Sequence, residues 1–211
     1  MLQRFSLTLV LLLSATFALA QDDNWVAGTH YDVISPAIRT VNPDAIEVTE
    51  FFWYGCGHCY NFEPMLGQWK KTLGEDVTFQ GSPAVWNAPM ELHARAYYAA
   101  QVLDVMDTMH PVIFQAMNVD RRRLASESEI AALFTANGVS EEDFTKAYNS
   151  FGVSSQVRQA SARAKAAQIT GTPEMMVNGK YRISTRKAGG QANMLKIADF
   201  LIAKERAEAG S

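Results

Sequence analysis

Between Ala45 and Tyr54 the chain runs Ala-Ile-Glu-Val-Thr-Glu-Phe-Phe-Trp-Tyr, then passes Gly55 and enters Cys56-Gly57-His58-Cys59. No other feature constrains the fold as strongly. The first stretch is rich in β-branched and aromatic residues and predicts a buried strand. A helix follows from about Cys56 to Leu73, with Gly74 as its stop and Pro64 predicting a kink inside it. The first cysteine therefore stands where a helix presents unsatisfied N–H groups and the positive end of its dipole. A thiolate is stabilised there, which lowers its pKa and raises its reactivity near neutral pH. His58 adds a positive charge or a hydrogen bond. Cys59, one turn in, is expected to be more buried and able to attack a mixed disulfide formed at Cys56.

These are the only two cysteines among 211 residues. A multi-bridge scaffold, a four-thiolate zinc site and a four-thiolate iron–sulfur cluster are thereby excluded. One disulfide or one reactive dithiol is left. A structural bridge closing a four-residue loop would restrict the unfolded chain by only about 2 kcal/mol. Zinc would need two more ligands from His30, His58, His93 and His110, and the expectation is no metal. A c-type haem needs histidine directly after the second cysteine, where Tyr60 stands.

Residues 1–20 resemble a cleavable secretory signal. Arg4 is their only charge, Leu7 and Leu9–Leu13 form an apolar centre, and Ala18-Leu19-Ala20 is a small-x-small site with cleavage expected after Ala20. Losing Arg4 takes the formal net charge from −3 to −4. No basic field points to nucleic acid. An exported chain meets conditions in which disulfides persist.

Residues 22–44 suggest an irregular arm or edge strand, with Pro36 and Pro43. A second strand is expected at 77–80, then helices over 90–107, from Pro111 to about Met117, and over 127–136, 141–149 and 153–168. Strands Glu174–Val177 and Tyr181–Ile183 flank Asn178-Gly179, a strong hairpin turn signal. A last helix covers 190–208. The order β-α-β, helices, β-β-α implies an α/β domain of residues 21–82 and 166–211 with a helical domain, 83–165, inserted in it.

Thr170-Gly171-Thr172-Pro173 opens the hairpin. On the bare residues a trans Thr172-Pro173 bond is favoured. A cis bond would leave the Thr172 backbone free to pair with an extended peptide. Taken together, Glu50-Phe51-Phe52-x-Tyr54-x-Cys56-x-His58-Cys59 and Gly171-x-Pro173-x-Met175-x-Val177-Asn178-Gly179-Lys180-Tyr181 resemble the DsbA family of the thioredoxin superfamily. The resemblance covers nearly all of the chain after the signal. It implies a thioredoxin-like fold with a central mixed β-sheet and a periplasmic thiol-disulfide oxidase without a bound cofactor. It further implies that Cys56 is the nucleophile, Cys59 the resolving thiol and Pro173 cis. Glu50 would lie beneath the dithiol, where a carboxylate either relays the Cys59 proton or is a strand-end glutamate paired with a lysine. The implied partners are unfolded exported polypeptides with free cysteines and a quinone-linked membrane oxidase of the DsbB type; a monomer is expected.

Two positions depart from the family pattern. Gly57 replaces the common proline of the central dipeptide, as in protein disulfide isomerases, and Thr172 replaces the frequent valine, placing a hydroxyl near Cys56. The family's lysine partner for Glu50 has no counterpart on the second strand, where Phe79 and Gln80 stand. Trp53, Tyr54, Met175 and Met176 flank the motifs and are candidates for a peptide groove, although strand alternation puts two or three of them in the core. With Thr172, Pro173, Gly57, Trp53 and Met175 form the expected substrate-binding set. Arg121-Arg122-Arg123 is expected to be a solvated turn, and His93 and His110 to be structural or surface residues. The alternative functions are an isomerase or reductase of the same fold, or a non-catalytic exported peptide-binding protein with a structural disulfide.

Overall fold

Ile46–Phe52 (β2) is the strand around which everything else is placed. All of its residues after Ile46 are buried, because it has neighbours on both edges and cover on both faces. In the computed structural model, which describes residues 25–210, Val77–Pro83 (β3) pairs parallel to β2, and Glu174–Val177 (β4) pairs antiparallel on its other edge. Tyr181–Ser184 (β5) pairs antiparallel with β4, and the two-residue Asp32–Val33 (β1) closes the order β1-β5-β4-β2-β3. The sheet is mixed and its fold thioredoxin-like. The secretory signal read in residues 1–20 lies outside the described residues. No helix among those residues is long and apolar enough to cross a membrane.

Helix Gly57–Lys70 (α1) leaves directly from the end of β2 and buries Cys59, Phe62, Leu66 and Trp69 at helical spacing. It ends earlier than Gly74, through a tight turn in which Thr72 and Leu73 bond back to Trp69 and Lys70. Pro64 lies inside it and denies the Tyr60 carbonyl its helical donor. Between β3 and β4 come Ala88–Val102 (α2), Met106–Asn118 (α3), Glu127–Ala136 (α4), Glu141–Tyr148 (α5) and Phe151–Ala166 (α6). Thr185–Ala188 (α7) and Gln191–Ala209 (α8) follow β5. Asn87, Ser126, Ser140 and Ser150 cap α2, α4, α5 and α6 through their side chains.

The helical stretch expected over 90–107 is two helices. Asp104 takes a left-handed conformation, φ 55°, and ends α2 at Val102. Pro111 does not open a helix; it sits inside α3, which starts at Met106. Its missing N–H takes the usual helical donor from the Asp107 carbonyl, and both residues are exposed and line a pocket between α1 and α3.

Residues two apart on a strand share a face. Val48, Glu50 and Phe52 therefore point the same way. Val48 packs with Phe62 and Leu66 of α1 and with α8, while Phe52 packs with Tyr54, Tyr97 and Phe114 in the helical block. Phe51 points to the other face, against Met176 and Ala164. Glu50 is thus a carboxyl inserted between two apolar neighbours at the seam of two cores.

Candidate active site

Cys56 is the N-cap of α1. Its Sγ accepts the backbone N–H of Cys59 at 3.2 Å and lies 3.3 Å from the carbonyl oxygen of Thr172, to which the thiol donates. Its own N–H donates to the Trp53 carbonyl at 2.9 Å, which closes the turn between strand and helix. Both cysteines are free thiols; Cys56 is half-buried and Cys59 is fully buried. Hydrogen bonding from the Cys59 thiol, then from Thr172 and the backbone N–H groups of Cys59 and His58, lowers the Cys56 pKa to about 6 against the opposing effect of burial. Burial, reinforced by the bond to Cys56, pushes the Cys59 thiol far up. One strand–helix junction therefore makes one half-exposed nucleophile and one protected thiol.

The Thr172-Pro173 bond is cis. It brings the Thr172 carbonyl to Cys56, and the threonine hydroxyl is among the groups that lower the pKa of both cysteines. Gly57 is exposed at the first turn of α1, where a Cβ would meet only the Asn118 side-chain oxygen at 3.8 Å. His58 is also exposed. Its ring makes no hydrogen bond or ion pair with a described residue, and its carbonyl accepts the Gln191 side chain at 2.6 Å. Met175 corrects the expected substrate set. It is fully buried between the sheet and helices α1 and α8, because its position on β4 faces inward, and it cannot touch a peptide. Tyr54 and Met176 are also core residues, which leaves Trp53 as the one half-exposed member of the four.

Glu50 sits opposite Gly81 of β3 and Met175 of β4, with one carboxylate oxygen buried and unpartnered. Burial raises its pKa well above the usual carboxylate range, and Glu63 adds to the effect. The opposing cation is Lys70, on α1 rather than on the second strand. Gln80 is not a substitute for it, since its amide donates to Thr49 at 3.1 Å. Glu50, Glu63, Lys70, Gln80, Tyr97 and His110 line a cavity of about 190 Å³.

Three contacts that the sequence did not mark tie the helical block to the strand–helix junction. The Tyr54 hydroxyl, kept protonated by burial, is hydrogen-bonded to His110 Nδ1 at 2.9 Å, and His110 Nε2 lies 3.4 Å from Glu63. Asn118 donates to the Tyr54 carbonyl at 2.8 Å. The Trp53 indole donates to His93 Nδ1 at 3.0 Å. An indole can only donate, so the His93 proton is on Nε2, facing the Arg123 and Leu124 carbonyls at 3.2 and 3.1 Å. Glu63 and Lys70, seven residues apart on α1, carried no signal of their own, because only the packing of α1 on β2 brings their charges to Glu50. The histidines had none, because their partners are distant in sequence.

A family model described as a DSBA-like thioredoxin domain matches residues 66–201. The thiol:disulfide interchange protein DsbA of Pseudomonas aeruginosa is 39% identical over 204 residues, covering 96% of this chain and 97% of that one. Its Azotobacter vinelandii counterpart is 40% identical over 179 residues, covering 85% and 84%. The crystal structure of Pseudomonas aeruginosa DsbA superposes with a TM-score of 0.86 at 39% identity, over 90% of this chain and 99% of that chain. That of the oxidoreductase DsbA from Xylella fastidiosa gives 0.81 at 31% identity, over 86% and 98%.

Proposed function

The chain belongs to the DsbA family of thiol-disulfide oxidoreductases, and from that premise we propose that it donates the Cys56–Cys59 disulfide to cysteine pairs of exported polypeptides in the periplasm. The observation that carries the residue roles is the asymmetry of the pair: Cys56 is the half-exposed N-cap and Cys59 is sealed beneath it. A substrate thiolate attacks Cys56 Sγ, forming a mixed disulfide and breaking the Cys56–Cys59 bond. Cys59 leaves as a thiolate and is protonated from the Glu50 side, the buried carboxyl acting as the acid. A second substrate thiolate then attacks the substrate's own sulfur and expels Cys56. Two electrons pass from the substrate pair to the enzyme pair, and the substrate leaves with its disulfide.

A pKa of about 6 makes the Cys56 thiolate a good leaving group and stabilises the reduced enzyme, so its disulfide is an oxidant. The extended substrate pairs with the backbone at Thr172, beside Pro173, with Trp53 and Gly57 at the rim. A quinone-linked membrane oxidase of the DsbB type then reoxidises the pair. Thiol-exchange equilibrium against glutathione buffers is the direct test. An oxidising midpoint, with Cys59→Ser trapping substrate on Cys56 and Cys56→Ser trapping none, is expected. A strongly reducing midpoint would overturn the oxidase direction, and trapping by Cys56→Ser would overturn the roles.

A further inference from the structure

The exposed run Arg121-Arg122-Arg123 follows α3, whose last residue reaches the turn that carries the dithiol. At one end, α3 finishes at Asn118, which holds the Tyr54 carbonyl and whose side-chain oxygen is 3.8 Å from where a Cβ on Gly57 would be. Arg121 follows three residues later, a reach of at most about 11 Å. At the other end, Leu124 is fully buried, and the Arg123 and Leu124 carbonyls face His93, which holds Trp53. In between, the Arg122 N–H donates to the Ala116 carbonyl. Arg121 and Leu124 both take left-handed conformations, φ 59° and 48°. The loop is therefore clamped at both ends to the residues that lead into Cys56.

Three adjacent guanidinium groups held this way repel one another. No carboxylate of a described residue forms an ion pair with any of them. On α7, Arg186 is exposed and equally without an ion pair, in a pocket it shares with Thr172 and Pro173. The nearby Lys187 and Arg182 are committed to Asp32, and Glu174 is buried beside Arg182. Asp120, directly before the run, is exposed, and so is Glu129, whose carboxylate accepts the Ala125 N–H at 3.0 Å. A chain with a net charge of −3 thus carries arginines without an ion pair on two segments, the loop after α3 and α7, that each adjoin residues next to its reactive sulfur.

We propose that Arg121–Arg123 and Arg186 form a basic rim that selects substrate segments carrying Asp or Glu close to the reacting cysteine. The selection rests on the exchange activity proposed above. The rim attracts such a segment over a Debye length, about 8–10 Å in physiological salt. It also offsets the acidic neighbours that hold the substrate cysteine protonated, so the attacking thiolate forms where it is needed.

Three reduced two-cysteine peptides of equal length test the rim, their cysteines flanked by Glu, Gln or Lys. At low ionic strength the oxidised enzyme should show a kcat/KM about tenfold higher on the Glu peptide than on the Lys peptide, falling to about twofold in half-molar salt. R121Q/R122Q/R123Q and, separately, R186Q should each shrink that ratio, and R121E/R122E/R123E should invert it. Circular dichroism identifies any variant that fails to fold, in which case R186Q and the wild-type salt dependence decide. Equal kcat/KM on all three peptides would overturn the rim, as would a ratio unchanged in the variants. Binding of the run to anionic lipid vesicles without discrimination among peptides would overturn it too, and would assign the arginines to a membrane surface. Failure to oxidise even the Gln peptide would instead overturn the exchange activity.

Discussion

Cys56 and Glu50 are perturbed in opposite senses by the same junction, and each perturbation has a pH signature. The Cys56 pKa of about 6 is below that of the unfolded chain, near 9.0, so the folded reduced state favours the thiolate. The resulting stabilisation is complete above the unfolded value and is lost as pH falls through about 6. Thiolate absorbance of the reduced protein should therefore titrate with a midpoint near 6, and the signal should vanish in Cys56→Ser. A midpoint above 8 would remove the N-cap explanation. Glu50 behaves the other way: its pKa is raised in the fold, so its contribution is favourable below the unfolded value of 4.5 and is lost as pH rises. Glu50→Gln should raise stability at pH 7 by about 1–2 kcal/mol and leave it unchanged near pH 4, as read from urea unfolding. A loss at pH 7 would mean that Lys70 fully compensates the buried carboxylate. Cys56 and Cys59 were legible in sequence because spacing and element order mark them, whereas the cis bond at Pro173 came only through the family resemblance, the bare residues favouring trans. Lys70 was not legible, since the partner of a buried acid is chosen by which helix face lands over it.

Among the elements, those defined by local chemistry appear where the residues predict them. The hairpin is the clearest case: Asn178 and Gly179 have φ of 49° and 65°, both positive as a type I′ turn requires. Gly179 has a second duty that no local pattern shows. A Cβ there would lie 1.9 Å from the carbonyl oxygen of Ile38, and the Ile38 N–H donates to the Gly179 carbonyl at 2.9 Å. The arm that carries β1 is thus laid directly on the turn. Gly179→Ala should cost at least about 2 kcal/mol, because backbone strain adds to a clash with another backbone. The melting temperature should fall by at least about 4 °C, and hydrogen exchange should quicken in residues 32–38. Unaltered exchange in the arm would show that it does not depend on the turn. The break at Asp104 and the position of Pro111 escaped the sequence for a related reason. Asp can adopt a left-handed cap without advertising it as glycine does, and a proline at a solvent-facing position of a helix removes a bond that water replaces.

For the whole molecule, the helical block is attached to the strand–helix junction through polar side chains, and His93 makes that attachment pH-dependent. Its Nδ1 must accept the Trp53 indole while its Nε2–H faces the Arg123 and Leu124 carbonyls, so only the neutral ring fits. Burial accordingly holds its pKa below the ordinary 6.5. The sign follows directly: the unfolded chain takes up a proton below pH 6.5 that the fold refuses, so this stabilisation is present above 6.5 and lost on acidification. Three groups then shape the acid limb of the stability curve, with Cys56 and His93 losing stability as pH falls and Glu50 regaining it. Oxidation separates them, because a disulfide removes the Cys56 titration and leaves His93 in place. Urea unfolding of the oxidised protein at pH 7 and pH 5 should show a His93-dependent loss of up to about 2 kcal/mol. His93→Gln should cost about 1–2 kcal/mol at pH 7 through its poorer bridge, and should lose much less on going to pH 5. Its tryptophan fluorescence should also change, since the Trp53 indole loses its partner ring. Parallel curves for the two proteins would mean that His93 accepts a proton in the fold, and that the block stays docked on its apolar contacts alone.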